Sequence, residues 1–278
     1  EKSPISTVLI AILLGIIMGN AFTPRPGMMI GLDFTQQYIL KLGIIFLGIR
    51  LSFADLIKFG SVAIPLVIFC ILGVLILIKL LIKKVPISSK MSYLIAIGTS
   101  VCGATAIVAT APVINAKKTE IAYAIANITL FGVIAMVVYP YFAEWYFDNN
   151  ALEVGLFLGT SIHETSQVAA AGLIYDQQFN NPETLDVATV TKLIRNTFLV
   201  ILIPLFALLY NRGEFKGQKY SILNIFPYFV LGFIGMIIVR NLGDQFFSVE
   251  TDNYYAWSKF IEYLKILATV FLTMAMAA

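Results

Sequence analysis

A long, almost uncharged apolar run from Gly60 to Ile82 is the feature that most constrains how this chain can fold. A transmembrane helix needs about 20 consecutive apolar residues, and this run reaches that length before Lys83 and Lys84 close it. The whole chain agrees, because 59% of its residues are hydrophobic, only 13% are charged, and its mean hydropathy is +0.87. Soluble domains carry about 25% charged residues. The sequence therefore predicts an all-α polytopic membrane protein.

Further apolar segments predict about nine to ten membrane segments in a single transmembrane domain that covers residues 1–278. They are Ile5–Asn20, Tyr38–Ile49, Met91–Asn115, Glu120–Phe142, Leu152–Tyr175, Val187–Tyr210, Ile222–Arg240 and Trp257–Ala278. The Pro- and Gly-rich stretch Thr23–Gly31 and the polar, acidic stretch Asp176–Asp186 predict loops. The last segment ends inside an apolar helix, so we expect a truncated C-terminus.

Composition also indicates which partners this chain lacks. The net charge of +3 is small, and no basic run of the kind that follows nucleic acid is present, so we expect no nucleic-acid partner. The two cysteines, Cys70 and Cys102, are too few for a disulfide framework and lack metal-site spacing. We expect no cofactor and no bound metal. The expected partners are the lipid bilayer and a small anionic substrate, and the sequence leaves a homo-oligomer open.

The segment Gly159–Gly172 contains the only histidine of the chain, His163, directly before Glu164. Ionisable residues at membrane depth are costly, and they typically mark a functional site. A second segment, Gly98–Ala106, opens with the same Gly-Thr-Ser triplet as Gly159–Ser161. Two interrupted apolar segments in one membrane protein are typical of a transport site.

We therefore predict that 91–115 and 152–175 are discontinuous or re-entrant helices, broken near Cys102–Gly103 and Ile162–His163, and that the breaks face one another. The distribution of basic residues among the loops mildly favours hairpins that re-enter over segments that cross. Glycine allows the backbone to leave helical geometry, and the freed N–H groups at the start of a half-helix can bind an anion. We also expect Gly103 and Gly159 to line the pocket.

Two groups of residues are predicted to form this site. The first group would bind the substrate, and comprises Thr99, Ser100, Cys102, Gly103, Thr160, Ser161, His163, Glu164 and Gln167. The second group would support it from further out, and comprises Asn127, Lys192, Arg195 and Asn196. Polar residues between membrane helices also serve as packing contacts, so a purely structural network is the alternative. Lys192 and Arg195 have an alternative too, since long basic side chains can extend to the membrane interface.

The sequence His163-Glu164-Thr165-Ser166-Gln167 is close to the H-E-x-x-H motif of zinc hydrolases. In that motif two histidines at i and i+4 share a helix face and bind Zn²⁺. Gln167 occupies the fifth position here, and the chain has no second histidine. An intramembrane metal-dependent hydrolase that uses His163 and Glu164 is therefore the less favoured alternative, and we expect no enzymatic activity and no catalytic residues.

Several blocks of this sequence resemble the bacterial YeiH family of inner-membrane proteins, whose usual label is sulfate exporter. They are Leu47–Leu51, Gly98–Ile107, Ala111–Ile114, Tyr139-Pro140, Ser161–Glu164, Gln167–Gly172 and Lys192–Asn196. The resemblance covers essentially the whole chain, and it implies an anion transporter more firmly than it implies sulfate. The family looks related to a broader transporter group with inverted repeats and discontinuous helices. Its members typically continue past the equivalent of Ala278.

Residues and resemblance together predict a secondary transporter of a small anion, either a sulfate-like oxyanion or a sulfonate. We expect it in the bacterial inner membrane as a multi-pass protein of the inverted-repeat transporter type. His163 with Glu164 would carry a coupling proton, and transport would be coupled to protons or to another ion. An anion channel or uniporter is the alternative within the same class.

Overall fold

The computed structural model describes residues 7–22, 26–82, 84–112, 114–199, 201–202, 205, 228–247 and 254–277. Within these residues every regular element is a helix. Three helices are long and apolar enough to cross a membrane, namely Phe53–Leu81, Lys118–Phe147 and Phe229–Phe246. The prediction of an all-helical membrane protein is confirmed, and the number of spans stays a prediction.

The α-helices are numbered in chain order. They are α1 (Thr7–Ala21), α2 (Pro26–Phe34), α3 (Leu40–Leu47), α4 (Phe53–Leu81), α5 (Ser89–Ser100), α6 (Ala104–Thr110), α7 (Lys118–Phe147), α8 (Ala151–Ser161), α9 (Thr165–Phe179), α10 (Pro182–Thr197), α11 (Phe229–Phe246) and α12 (Tyr254–Ala277). A π-helical turn, Thr35–Ile39, joins α2 to α3, and a 3₁₀ turn, Gly48–Arg50, follows α3. The C-terminal part of the predicted helix Val187–Tyr210 lies outside the described residues.

Local chemistry explains where several helices begin. The Ser52 hydroxyl accepts a hydrogen bond from the Asp55 N–H at 3.1 Å, and the Asp55 carboxylate accepts one from the Ser52 N–H at 3.0 Å. This reciprocal capping satisfies two donors at the start of α4. The predicted loop Thr23–Gly31 is wrong from Pro26 onwards, because α2 begins there. Proline suits the first position of a helix, where its missing N–H is not needed.

The predicted loop Asp176–Asp186 is also wrong. Helix α9 continues to Phe179 and α10 begins at Pro182, so the connection is short, with Asn180 in the left-handed conformation. Most of α10 is buried, because α4, α8 and α9 pack around it. The polar residues of this stretch are half-buried or exposed up to Glu183, and α10 is largely enclosed from Thr184 onwards. The Thr189 hydroxyl, for example, donates to the Leu185 carbonyl at 2.7 Å.

The helices form two groups that pack against each other. The core bundle consists of α4 to α10, with α10 at its centre. The flanking bundle consists of α1, α2, α3, α11 and α12, and it contacts the core bundle mainly through α9 and α4. Both interrupted segments belong to the core bundle. The core bundle therefore contains both helix breaks, and the flanking bundle packs against it.

Candidate functional site

Two breaks in helical structure meet inside the core bundle. The first break, 101–103, separates α5 from α6, and the second break, 162–164, separates α8 from α9. Each Gly-Thr-Ser triplet forms the last turn of the helix that precedes its break. The last carbonyls of a helix have no partner within it, so the two breaks bring unpaired acceptors into the protein interior.

Lys192 of α10 satisfies acceptors from both breaks. Its side chain is fully buried, and its ammonium group donates to the carbonyls of Val101 at 2.8 Å and Ile162 at 3.0 Å. It also donates to the carbonyl of His163. An ammonium group has three donors, so this arrangement uses all of them.

Arg195, one turn further along α10, makes a second set of contacts with the same two helix ends. Its Nε donates to the Ser100 carbonyl at 2.8 Å, and its Nη1 donates to the Thr160 carbonyl at 2.6 Å. Its Nη2 donates to the Thr99 carbonyl. Positive charge at a helix C-terminus is favourable because the helix dipole is negative there. The two cations therefore fix both breaks in one arrangement.

This geometry corrects two expectations from the sequence. Lys192 and Arg195 do not extend to the membrane interface, because they are 0% and 3% exposed and point into the bundle. The Gly-Thr-Ser triplets do not supply N–H groups to a ligand; Thr99, Ser100 and Thr160 instead supply carbonyls to the two cations. The reason is that the triplets precede the breaks, where carbonyls are unpaired.

The remaining polar groups near the triplets are largely occupied. The hydroxyls of Thr160 and Ser161 donate to carbonyls of their own helix, at 2.7 Å from the Leu156 oxygen and 2.5 Å from the Phe157 oxygen respectively. The Ser100 hydroxyl is buried and has no partner among the described residues. These side chains therefore belong to the packed interior.

Gly159 packs against α10 and lines neither of the two cavities described below. A Cβ atom there would lie 2.7 Å from Cβ of Thr191 and 2.8 Å from the Ala188 carbonyl oxygen. Gly103, by contrast, belongs to the meeting point of the breaks. Its φ of +66° is a conformation that favours glycine, and a Cβ would lie 2.7 Å from Cγ of Glu164.

Glu164 links the second break to the start of α6. Its carboxylate interacts with the backbone N–H of Ala104 and with the Thr129 hydroxyl. Gln167 is buried, and its side chain bonds to backbone groups. Its Oε1 accepts from the Glu164 N–H at 3.3 Å, and its Nε2 donates to the Thr129 carbonyl at 3.4 Å. Asn127 is half-buried on the neighbouring α7. The Nδ1 atom of His163 is buried and has no partner within the described part of the chain.

A cavity of about 870 Å³ lies between the two bundles, next to the breaks. The core bundle contributes Cys102, Ala104, Thr105, Val108, Ala109, Glu164, Thr165, Ser166, Asn196 and Leu199 to its wall, and the flanking side contributes Gln36, Leu40, Lys41, Ile44, Tyr228 and Phe229. A smaller cavity of about 320 Å³ has an almost entirely apolar lining and carries no charged group. The larger cavity is therefore the better candidate for a polar ligand.

Among the predicted site residues, Cys102, Glu164 and Asn196 line this cavity. The side-chain amide of Asn196 donates to the Thr165 hydroxyl at 2.9 Å, and its Oδ1 is buried without a partner in the described residues. The other predicted residues are not part of this cavity wall, and most of them belong to the contacts that hold the breaks together. They are Thr99, Ser100, Gly103, Thr160, Ser161, His163, Gln167, Asn127, Lys192 and Arg195.

Sequence reasoning missed several residues of the cavity wall. Thr105, Thr165 and Ser166 follow the two breaks directly, and their place at the start of the next helix was the available signal. Gln36 and Lys41 come from the other bundle. A charge such as Lys41 inside an apolar segment was also a signal, because charged residues within apolar membrane segments frequently have a function.

The structure also bears on the alternative of a metal-dependent enzyme. Within the described ranges, no group of three or more His, Cys, Asp and Glu side chains is close enough together to hold a metal ion. His163 and Glu164 are neighbours in the chain, but Glu164 faces the cavity wall and His163 is not part of that wall.

Comparisons with known proteins identify one family of membrane proteins over the full chain. Residues 1–278 match the family model described as "Conserved hypothetical protein 698". A UPF0324 membrane protein of Streptococcus agalactiae is 34% identical over 278 residues, which cover 99% of this chain and 79% of that protein. One from Fusobacterium nucleatum is 34% identical over 281 residues with the same coverage. One from Clostridium tetani is 32% identical over 247 residues, covering 84% of this chain and 70% of that protein. No solved structure matches significantly.

Proposed function

Since the chain belongs to the YeiH family, whose relatives are named UPF0324 membrane proteins, we propose that it is a secondary transporter of a small anion. The anion binds in the cavity between the bundles, at the start of α9. The observation that carries this proposal is the cavity itself, because a helix N-terminus, polar side chains and one carboxylate meet there. The substrate class is a sulfate-like oxyanion or a sulfonate, and the two broken segments act as discontinuous transporter helices.

The start of α9 favours negative charge. The Glu164 carboxylate caps the N–H of Gln167, whereas the N–H groups of Thr165 and Ser166 have no partner within the helix. The positive end of the helix dipole lies there. The hydroxyls of Thr165 and Ser166 and the side chain of Asn196 line the same part of the cavity. Hydroxyls and amides can donate to oxyanion oxygens. Lys192 and Arg195 contribute indirectly, since they hold both helix breaks in place.

Glu164 gives the site its coupling to protons. An ionised carboxylate next to the cavity repels an anion, whereas a protonated one does not. A proton that binds Glu164 therefore prepares the site for the anion, and the two leave together when the site opens to the other side. This assigns the coupling proton to Glu164 rather than to His163, because only Glu164 lines the cavity.

The test is anion uptake by the purified protein in liposomes, with radiolabelled sulfate, thiosulfate and methanesulfonate offered separately. We expect an inward proton gradient to drive accumulation of at least one of them in wild type. Glu164→Gln keeps the shape of the side chain but cannot exchange a proton. It should still bind the anion and exchange it across the membrane, but it should lose accumulation driven by the gradient.

Glu153→Gln is the matched control, because Glu153 is an exposed carboxylate in the first turn of α8, away from the cavity. It should behave as wild type. Failure of wild type to bind or move any of these anions would contradict the proposed function. Downhill flux that ignores the proton gradient, and that Glu164→Gln leaves unchanged, would indicate a channel or uniporter instead. Stoichiometric zinc in the purified protein would favour the hydrolase alternative.

A further inference from the structure

Lys41 is a charged residue of the cavity wall that comes from the flanking bundle. It lies in the first turn of α3, directly after the π-helical turn Thr35–Ile39, and Gln36 and Leu40 line the same wall. π-Helical turns are rare and occur frequently at functional sites, because the extra residue redirects the side chains that follow. Lys41 therefore faces the core bundle from a segment whose helical register is altered.

The charge of Lys41 is available to a ligand. Its ammonium group lies 5.9 Å from the centre of the Tyr38 ring, and no carboxylate of the described residues forms an ion pair with it. Lys192 and Arg195 are not available in this way. Their N–H donors are used by backbone carbonyls, and neither side chain lines the cavity. Lys41 is thus the one cationic side chain on the described cavity wall, and Glu164 is its one acidic side chain.

We propose that Lys41 is the residue that selects anions in this cavity. This inference rests on the proposed function and adds a recognition group to it. The start of α9 and the Thr165 hydroxyl, which accepts from the Asn196 amide, hold the anion from the core bundle. The Lys41 ammonium group reaches it from the flanking bundle. The bound anion therefore bridges the two bundles. A neutral or cationic solute of the same size gains nothing from Lys41.

The chain offers a closely matched control in Lys259. Its ammonium group lies 4.7 Å from the centre of the Tyr255 ring on the same helix, so it too is an exposed lysine stacked on a tyrosine. Lys259 is absent from the cavity wall. Lys41→Met and Lys259→Met thus remove the same group from similar surroundings, and only the first change touches the cavity.

The experiment measures thermal unfolding of the full chain in detergent during titration with sodium sulfate, sodium thiosulfate or sodium methanesulfonate. Sodium chloride keeps the ionic strength constant. A ligand that binds only the folded protein stabilises it by RT ln(1 + c/Kd), where c is the free ligand concentration, so the rise in unfolding temperature over the titration reports the affinity. For the anion that binds wild type, Lys41→Met should weaken the affinity by at least about tenfold, as expected for loss of a charged hydrogen bond. Lys41→Arg should stay within about threefold of wild type, and Lys259→Met should be indistinguishable from it.

The outcomes separate this inference from the proposed function. If wild type binds none of the three anions, the proposed function fails, and the role of Lys41 fails with it. If wild type binds an anion and Lys41→Met binds it equally well, the role of Lys41 alone is wrong. Lys41→Glu provides a second variant should Lys41→Met fold poorly. It reverses the charge and should abolish binding, and retained binding would equally overturn the inference.

Discussion

Lys192 illustrates how a charged residue can be retained inside a membrane protein. Moving a charge away from water costs several kcal/mol unless polar partners replace the water. Here the partners are the carbonyls of Val101, Ile162 and His163, which themselves lack partners because their helices end. The charge and the unpaired carbonyls compensate for one another, so neither would be stable alone.

This reciprocity leads to a prediction for Lys192→Met. The variant removes the buried charge, but it leaves the interior carbonyls of Val101 and His163 without a donor, and that of Ile162 with only a long contact of 3.5 Å to Arg195. Each orphaned carbonyl costs about 1–3 kcal/mol. We expect the protein to lose roughly 3 kcal/mol of stability, measured as a lower unfolding midpoint in detergent. Lys58→Met is the control, because Lys58 forms an exposed ion pair with Glu183 at 3.3 Å. It should shift the midpoint little, and an equally small shift for Lys192→Met would refute the role of the buried contacts.

At the scale of elements, the contact between α8 and α10 positions the second break relative to Lys192. Gly155 and Gly159 lie one turn apart on α8, and both face α10 at distances too short for a Cβ atom. Small residues at this spacing let two membrane helices approach closely. The close approach brings the end of α8 within reach of both Lys192 and Arg195.

We therefore predict that Gly159→Ala destabilises the protein by about 1–3 kcal/mol, as overpacking typically does. Its added methyl group would meet Thr191 and Ala188 of α10. Gly235→Ala on α11 is the matched control, because nothing lies within 4 Å of the position its Cβ would take. That variant should be neutral or slightly stabilised in the same unfolding measurement. Equal stability of the two variants would mean that α8 and α10 are further apart than described.

The sequence predicted the helical membrane class, the family and the residues around both breaks. It did so because hydropathy, the matched Gly-Thr-Ser triplets and the motif blocks are local properties of the chain. It did not predict that α10 is an enclosed helix, because Asp176–Asp186 reads as a solvated loop when its neighbours are unknown. It also did not predict that Lys192 and Arg195 donate to backbone carbonyls at the two helix ends. Every residue has a backbone carbonyl, so the sequence does not indicate which carbonyls are unpaired. Lys41 was missed because it reaches the cavity from a distant segment.

At the scale of the whole molecule, the two bundles are tied together at the end of α10 opposite to Asn196. Nε of Arg50 lies 2.6 Å from Oδ1 of Asp186, and the two side chains are only 12% and 15% exposed. Arg50 also donates to the Pro182 carbonyl at 3.1 Å. The 3₁₀ turn of the flanking bundle is thereby fixed to the first turns of α10. The cavity lies at the other end of the same helix, where Asn196 lines its wall.

A double-mutant cycle should measure this connection. We expect Arg50→Met and Asp186→Asn, made singly and together, to give a coupling energy of about 1–3 kcal/mol from unfolding in detergent, because the pair is largely shielded from water. The same cycle on Lys58 and Glu183, which are 61% and 48% exposed, should give about 0.5 kcal/mol or less. If the two cycles agree, Arg50 and Asp186 do not tie the bundles together.

The contacts of α10 with both breaks also set an order in time. The acceptor carbonyls at and just before the second break lie 29 to 35 residues before their donors in the chain, whereas those at and just before the first break lie 91 to 96 residues before them. Ribosomes add about 5–20 residues per second. Lys192 and Arg195 are therefore synthesised about 5–20 s after the carbonyls of Thr99, Ser100 and Val101, to which they donate. The first break is synthesised early and completed late. A nascent chain that has not yet reached α10 therefore carries an unfinished break at residues 101–103.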